Sequence, residues 1–153
     1  FAALLRNGTV VTWGNPVLGG DSKAVQAQLK NVQQVHSVAG AFAALLGDGS
    51  VVTWGDAGLG VHINTVQGQL QDVQELHATA GAFAALRRDG SVVTWGSAFH
   101  GGRSNAVRGQ LQNVQQVYAS NFAFSALRRM DLLWFGARAL HPRALEPRLV
   151  LSQ

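Results

Sequence analysis

The sequence has no cysteine among its 153 residues, which rules out disulfides, thiol catalysis and cysteine-bound zinc and leaves the compartment open. Charge is scarce as well: 13% of residues are charged, about half the roughly 25% of a typical soluble domain. Proline is rare, at 3 residues, whereas glycine reaches 18. That balance suits short strands joined by tight turns. No run of about 18 apolar residues occurs, so no membrane-spanning helix is expected, and no signal peptide is recognisable. What the chain does have is apolar mass. Hydrophobic residues make up 47% of it, too many for a disordered segment and enough for a core.

The formal net charge of +4 is unevenly spread. Residues 1–86 carry Arg6, Lys23 and Lys30 against Asp21, Asp48, Asp56, Asp72 and Glu75, a balance of −2. Residues 87–153 carry nine arginines against Asp89, Asp131 and Glu146, a balance of +6. The basicity therefore belongs to the C-terminal half.

A tandem repeat organises the chain. FAALLRNGTVVTWG from Phe1 to Gly14 recurs at Phe42–Gly55 and Phe83–Gly96, and Trp13, Trp54 and Trp95 stand 41 residues apart. A decayed fourth copy, FSALRRMDLLWFG, runs from Phe124 to Gly136 and lacks the turn glycine. The repeats divide the chain into 1–41, 42–82, 83–123 and a degenerate 124–136, followed by a non-repeat tail, 137–153. Phe1 falls inside a repeat, which leads us to expect a piece of a longer protein.

Each unit reads as β-structure. VQQVHSVAG (Val32–Gly40) is rich in β-branched residues, and AFAALL follows it. Asn7-Gly8, Asp48-Gly49 and Asp89-Gly90 then give the Asn-Gly or Asp-Gly signal of a tight hairpin. VVTWG supplies the returning strand, and AVQAQL (Ala24–Leu29) alternates like a fourth, weaker one. Units of this length with three or four strands suit a β-propeller blade; a β-trefoil is the alternative fold.

The thrice-repeated Asp/Asn-Gly-x-Val-x-x-Trp-Gly pattern, preceded by a Val-rich strand and Ala-Leu, resembles the regulator-of-chromosome-condensation (RCC) repeat. The resemblance spans residues 1–136. It implies an all-β fold of RCC-like propeller blades, about 3.5 of them, and thus an incomplete or open ring. Open blade faces lead us to expect self-association. The family includes guanine-nucleotide exchange factors, accessory domains of ubiquitin ligases and secreted inhibitors. It therefore implies a non-catalytic protein-interaction scaffold, regulatory within a larger protein and in an intracellular setting, cytoplasmic or nuclear. Two departures stand out: the units are shorter than the usual family repeat, and Ala-Phe replaces the His-Thr common before Ala-Leu.

The chemistry-bearing residues fit this reading. Trp13, Trp54 and Trp95 are expected to pack between neighbouring units, with Gly14, Gly55 and Gly96 turning the chain away and Gly8, Gly49 and Gly90 closing the hairpins. His36, His77 and Tyr118 share one repeat position. Two histidines without a carboxylate at matching spacing imply no metal site, and no cofactor is implied. Arg87-Arg88 and Arg128-Arg129 occupy equivalent slots before the hairpin turn, so adjacent units would line four arginines along one rim. That rim would suit an acidic protein surface or nucleic-acid phosphate.

Variation within the repeat points to a second place. The first two copies agree at 11 of 14 positions over Phe1–Gly14, but at 2 of 10 between Asn15–Ala24 and Asp56–Thr65. In the third copy the loop carries Phe99, His100 and Arg103. A constant frame with a variable loop is how a scaffold presents binding residues. A carbohydrate or small-ligand module using the same loops is the alternative function.

Overall fold

The computed structural model describes residues 1–59, 63, 65–129 and 149–152. The protein is all-β within them, built from four small antiparallel sheets. The first has two strands, β1 (Ala2–Leu4) and β2 (Val10–Thr12). The second is a three-stranded meander of β3 (Val32–Ser37), β4 (Ala41–Leu46) and β5 (Val51–Gly55). The third repeats it with β6 (Val73–Ala78), β7 (Ala82–Arg87) and β8 (Val92–Gly96). The fourth joins β9 (Val114–Ala119), β10 (Phe124–Arg128) and β11 (Leu149–Ser152).

The registers of the second and third sheets are the same. Phe42 faces Trp54 across β4 and β5, as Phe83 faces Trp95 across β7 and β8. Each leading strand skips one glutamine opposite its neighbour, Gln33 and Gln74. The hairpin turns form as the dipeptides predict. Gly8, Gly49 and Gly90 have φ of +78°, +83° and +80°, where a side chain is disfavoured. The preceding Asn7, Asp48 and Asp89 accept a hydrogen bond from the backbone N–H two residues on, at 2.9–3.1 Å.

The sheets stack face to face, with one apolar cluster at each seam. Val10 and Leu29 meet Phe42, Val52 and Trp54 between the first two sheets. Ala43, Leu45 and Leu70 meet Phe83, Val93 and Trp95 between the next two. Ala84, Leu86 and Leu111 meet Val117 and Phe124 at the last. Polar bonds stitch the same seams. The carbonyls of Gly8, Gly49 and Gly90 accept from the first strand residue of the next sheet, Val32, Val73 and Val114, at 2.8–3.0 Å. Gln34 accepts from the backbone of Leu76 at 3.1 Å, and Ala39 donates to Ala80, which donates to Asn121.

One expectation changes, and the divisions of the chain gain two details. The segment Ala24–Leu29 is not a fourth strand: it and its equivalents form helical turns, including Gln67–Gln69 and Asn105–Gln110. Its alternation is misleading, because the middle position (Ala27, Gly68, Gly109) faces solvent, and a Cβ placed on Gly68 or Gly109 meets nothing. Val25 and Leu29 instead come together through a helical bond from Leu29 N–H to the Val25 carbonyl at 3.2 Å. Next, the sequence frame 1–41, 42–82, 83–123 cuts inside β4, so each sheet takes its leading strand from before that boundary. Finally, part of the 137–153 tail is a strand. β11 pairs with β10 in the register of a returning strand, Leu127 facing Leu149 as Leu45 faces Val51. The equivalent expected for the degenerate copy, around Trp134 and Phe135, lies outside the described residues, as do His62 and His141.

Candidate functional site

Antiparallel pairing sends the hairpin turns to one edge of the stack and the Trp-Gly steps to the other. The candidate binding residues therefore divide between two opposite rims. Arg87, Arg88, Arg128 and Arg129 stand at the turn rim; Phe99, His100 and Arg103 stand at the loop rim.

On the turn rim the arginine pairs do different work. Arg87 Nε donates to the Gln71 carbonyl at 3.0 Å, and Arg128 Nε donates to the Gln112 carbonyl at 3.1 Å. Arg87 also lies 3.4 Å from the Asp89 carboxylate. These guanidiniums brace the linker of their own unit against its sheet. Arg88 and Arg129 are exposed and have no side-chain partner among the described residues. Arg6, at the same position of the first unit, is likewise exposed with no side-chain partner among the described residues. Hydrogen bonds from the Ser91 hydroxyl and backbone N–H hold the Asp89 carboxyl below the usual carboxylate range, with Arg87 adding to the effect. Ser50 does the same for Asp48. Beside Arg88, an open cleft of about 790 Å³ runs between β3 and β6, edged by the amides of Gln33 and Gln74.

The loop rim is aromatic. Trp-Gly ends β8, and the chain enters a short turn, Ala98–His100, stopped at Gly101 with φ +91°. The turn places Phe99 in solvent, 92% exposed. His100 is fixed from three sides. Its Nδ1 is 2.9 Å from the Ser97 hydroxyl, and its carbonyl accepts from Thr79 Oγ1 at 2.9 Å. Its ring stacks on Phe122 with centroids 5.5 Å apart. Phe122 is itself 66% exposed. Arg103 is exposed on the same loop. Phe99, His100 and Phe122 thus form a surface patch spanning the third and fourth units.

Sequence reasoning missed Phe122, although a signal existed. It stands where the earlier units carry Gly40 and Gly81. At Gly81 a Cβ would lie 2.9 Å from His100 Nδ1, so the His100 ring sits over one unit's glycine while stacking on the next unit's phenylalanine.

The tryptophans fall into two kinds. Each stacks on the phenylalanine that opens its hairpin, with centroids 5.2–5.5 Å apart. Trp54 and Trp95 are buried at seams, and Trp54 Nε1 donates to the Gly19 carbonyl of the preceding unit's loop at 3.1 Å. The residue matching Gly19 for Trp95 is Gly60, outside the described residues. Trp13, against whose face no unit packs among the described residues, is half exposed. A Cβ on Gly55 or Gly96 would lie 2.5–2.8 Å from the carbonyl of Gly40 or Gly81, so the residue after these tryptophans has to be glycine.

His36 and His77 come together, with rings 6.5 Å apart on adjacent leading strands. Burial, with the neighbouring His77 second, lowers the His36 pKa from its ordinary value. His77 Nε2 lies 3.3 Å from Glu75. Among the described residues no group of three or more potential ligands is placed to hold a metal ion, and no helix is long and apolar enough to cross a membrane. No protein-family model matches the chain, and no curated protein matches it.

Proposed function

We propose that the chain is an arc of RCC-like propeller blades acting as a non-catalytic protein-interaction scaffold, with a protein partner seated on the loop rim. The observation that carries this is the exposure of Phe99 and Phe122 on either side of an anchored His100. The Phe122 ring is held by its stack on His100, Phe99 stands exposed on the same loop as His100, and aromatic residues and arginine are enriched in protein interfaces. The successive meanders, stacked face to face in one register, support the blade reading, although each has three strands.

The test is retention of partners on the immobilised chain, compared with a Phe99→Ala/Phe122→Ala double variant and an Arg88→Ala/Arg129→Ala double variant. A protein retained by the wild type and by the arginine variant, but released by the aromatic variant, is the expected result. Saturable binding on a glycan array with no protein retained would replace the scaffold by a carbohydrate-binding module.

Unpaired Arg88 and Arg129 favour a second contact, with an acidic protein surface or nucleic-acid phosphate. Such a contact weakens steeply as salt rises, whereas loop-rim binding does not.

A further inference from the structure

One slot just before the hairpin turn holds Arg6, Gly47, Arg88 and Arg129 in the four units. Only the second unit has glycine there. A Cβ on Gly47 would clash with the side-chain amide nitrogen of Asn31, so that amide lies where the other units begin an arginine side chain. Gly47 lines the open cleft of about 790 Å³ between β3 and β6. Arg88, from the same slot of the next unit, lines it too. The cleft therefore sits at a seam between two three-stranded sheets, where one unit omits the arginine and the next supplies it.

The hydrogen bonds around the cleft fix which polar groups are left over. The Leu76 N–H is a donor, so the Gln34 atom 3.1 Å from it is the amide oxygen. The Asn31 backbone carbonyl is an acceptor, so the Gln33 atom 3.3 Å from it is the amide nitrogen. That nitrogen also donates to the Asn31 side-chain oxygen, at 3.0 Å. Asn31 and Gln34 thus use their side-chain oxygens within the protein. Their NH2 groups, two donors each, have no partner among the described residues. The side chains of Gln74 and Arg88, on the same cleft, have none among them either. No carboxylate lines the cleft. Asp48 turns its carboxylate into its own hairpin, accepting from the Ser50 N–H and hydroxyl at 2.9 and 2.6 Å. Asp72 accepts the Arg88 N–H at its backbone carbonyl and stands outside the lining.

We infer that this cleft binds a single carboxylate, with Arg88 as the charged anchor and the amides of Asn31, Gln34 and Gln74 as neutral donors. Charge and shape select that group. The lining supplies one formal positive charge and a surplus of donors. That matches a monoanion and leaves a phosphate dianion only half compensated. The planar guanidinium offers two parallel N–H bonds to the two oxygens of a carboxylate. The remaining lone pairs of those oxygens accept from the amide NH2 groups. An acidic side chain of a partner protein and a free carboxylic acid both present this group. The site rests on the turn-rim contact proposed above and gives it a ligand class. It does not depend on the loop rim.

The test titrates the isotope-labelled full chain, at constant ionic strength, with an end-blocked pentapeptide carrying one glutamate, with butyrate and with inorganic phosphate. Nuclear magnetic resonance follows the side-chain NH2 signals of Asn31, Gln34 and Gln74. The expected result is a saturable shift of these signals with the glutamate peptide. Affinity should fall about tenfold or more when glutamine replaces the glutamate, a change that leaves the protein untouched, and likewise in Arg88→Gln. Gly47→Ala pushes the Asn31 amide aside without changing charge and should weaken binding about fivefold. Butyrate binding as well as the peptide assigns the site to free carboxylic acids; tighter binding of the peptide assigns it to a partner's side chain. Phosphate binding as tightly as the glutamate peptide overturns the inference, as does equal binding by the glutamine peptide, by Arg88→Gln or by Gly47→Ala, or the absence of a saturable shift. The Phe99→Ala/Phe122→Ala variant should bind the peptide as the wild type does. Weaker binding there would move the carboxylate to the loop rim and overturn the inference too, so the two rims stand or fall separately.

Discussion

The Phe–Trp pair at the first hairpin and the pairs at the next two have nearly the same geometry and opposite surroundings. Phe1 and Trp13 stack at 5.5 Å, Phe42 and Trp54 at 5.2 Å, and Phe83 and Trp95 at 5.3 Å. Yet Trp13 is 51% exposed, against 5% for Trp54 and 3% for Trp95. The stack is thus a property of one hairpin, formed across its own strands. Burial is a property of two units, supplied by the linker leucine and the glycine loop of the one before. Among the described residues, four stacked sheets give three seams with clusters, and Trp13 lies on the outer face of the first sheet.

Mutating the two kinds of tryptophan is the strongest way to break the comparison. Trp54→Ala or Trp95→Ala should cost about 3–5 kcal/mol, read as a lowered urea midpoint. Trp13→Ala should cost less than about 1 kcal/mol, since its surface is already half in water. Equal losses would mean that the first face is covered in solution.

A second pair of substitutions separates glycines at a seam from glycines in solvent. At Gly49, φ is +83° and a Cβ would lie 3.1 Å from the Asp72 backbone. Gly49→Ala should destabilise by roughly 1–3 kcal/mol. Gly68, with open space around it, should accept alanine with no loss, or with a gain of about 0.4–1 kcal/mol. Chemical denaturation of both variants checks this.

The arginines give a finer contrast. Arg87→Ala removes a bond to the Gln71 carbonyl and should cost about 1 kcal/mol. Arg88→Ala, one residue on, should leave stability unchanged within about 0.5 kcal/mol and weaken only salt-sensitive binding.

The smallest effect concerns pH. The His36 pKa is lowered in the folded state, so on acidification the unfolded chain takes up its proton first. Stability from this group is complete above the ordinary histidine value of about 6.5. It is lost as pH falls from there through the lower folded pKa. Melting temperatures from pH 8 down to pH 5 should show a decline that His36→Gln reduces.

How much of this was legible in the sequence depended on distance along the chain. The hairpins were, because Asp48-Gly49 and its equivalents encode a turn within four residues, and the strands on either side are fixed by that turn. Ala24–Leu29 was misread because its solvent-facing middle residue is small, so the Val-x-x-x-Leu spacing of a helical turn also fits an alternating strand. The arginine slots were legible as equivalent positions, but not the division of labour between Arg87 and Arg88, which depends on where the Gln71 carbonyl lies. Phe122 could have been found as a large residue where both earlier units carry glycine, Gly40 and Gly81. Its stacking on His100 could not, since the two belong to different units.

The sequence by itself determined the period, the turns and the all-β character, because each arises from groups a few residues apart whose conformational preferences are local. Tertiary structure alone decided which tryptophan is buried, that the arginines and the aromatic patch lie on opposite rims, and that Leu149–Ser152 completes the last sheet. These depend on which unit packs against which, and packing is set by long-range burial of apolar surface, for which a repeated sequence carries the same letters whether or not a neighbour is there.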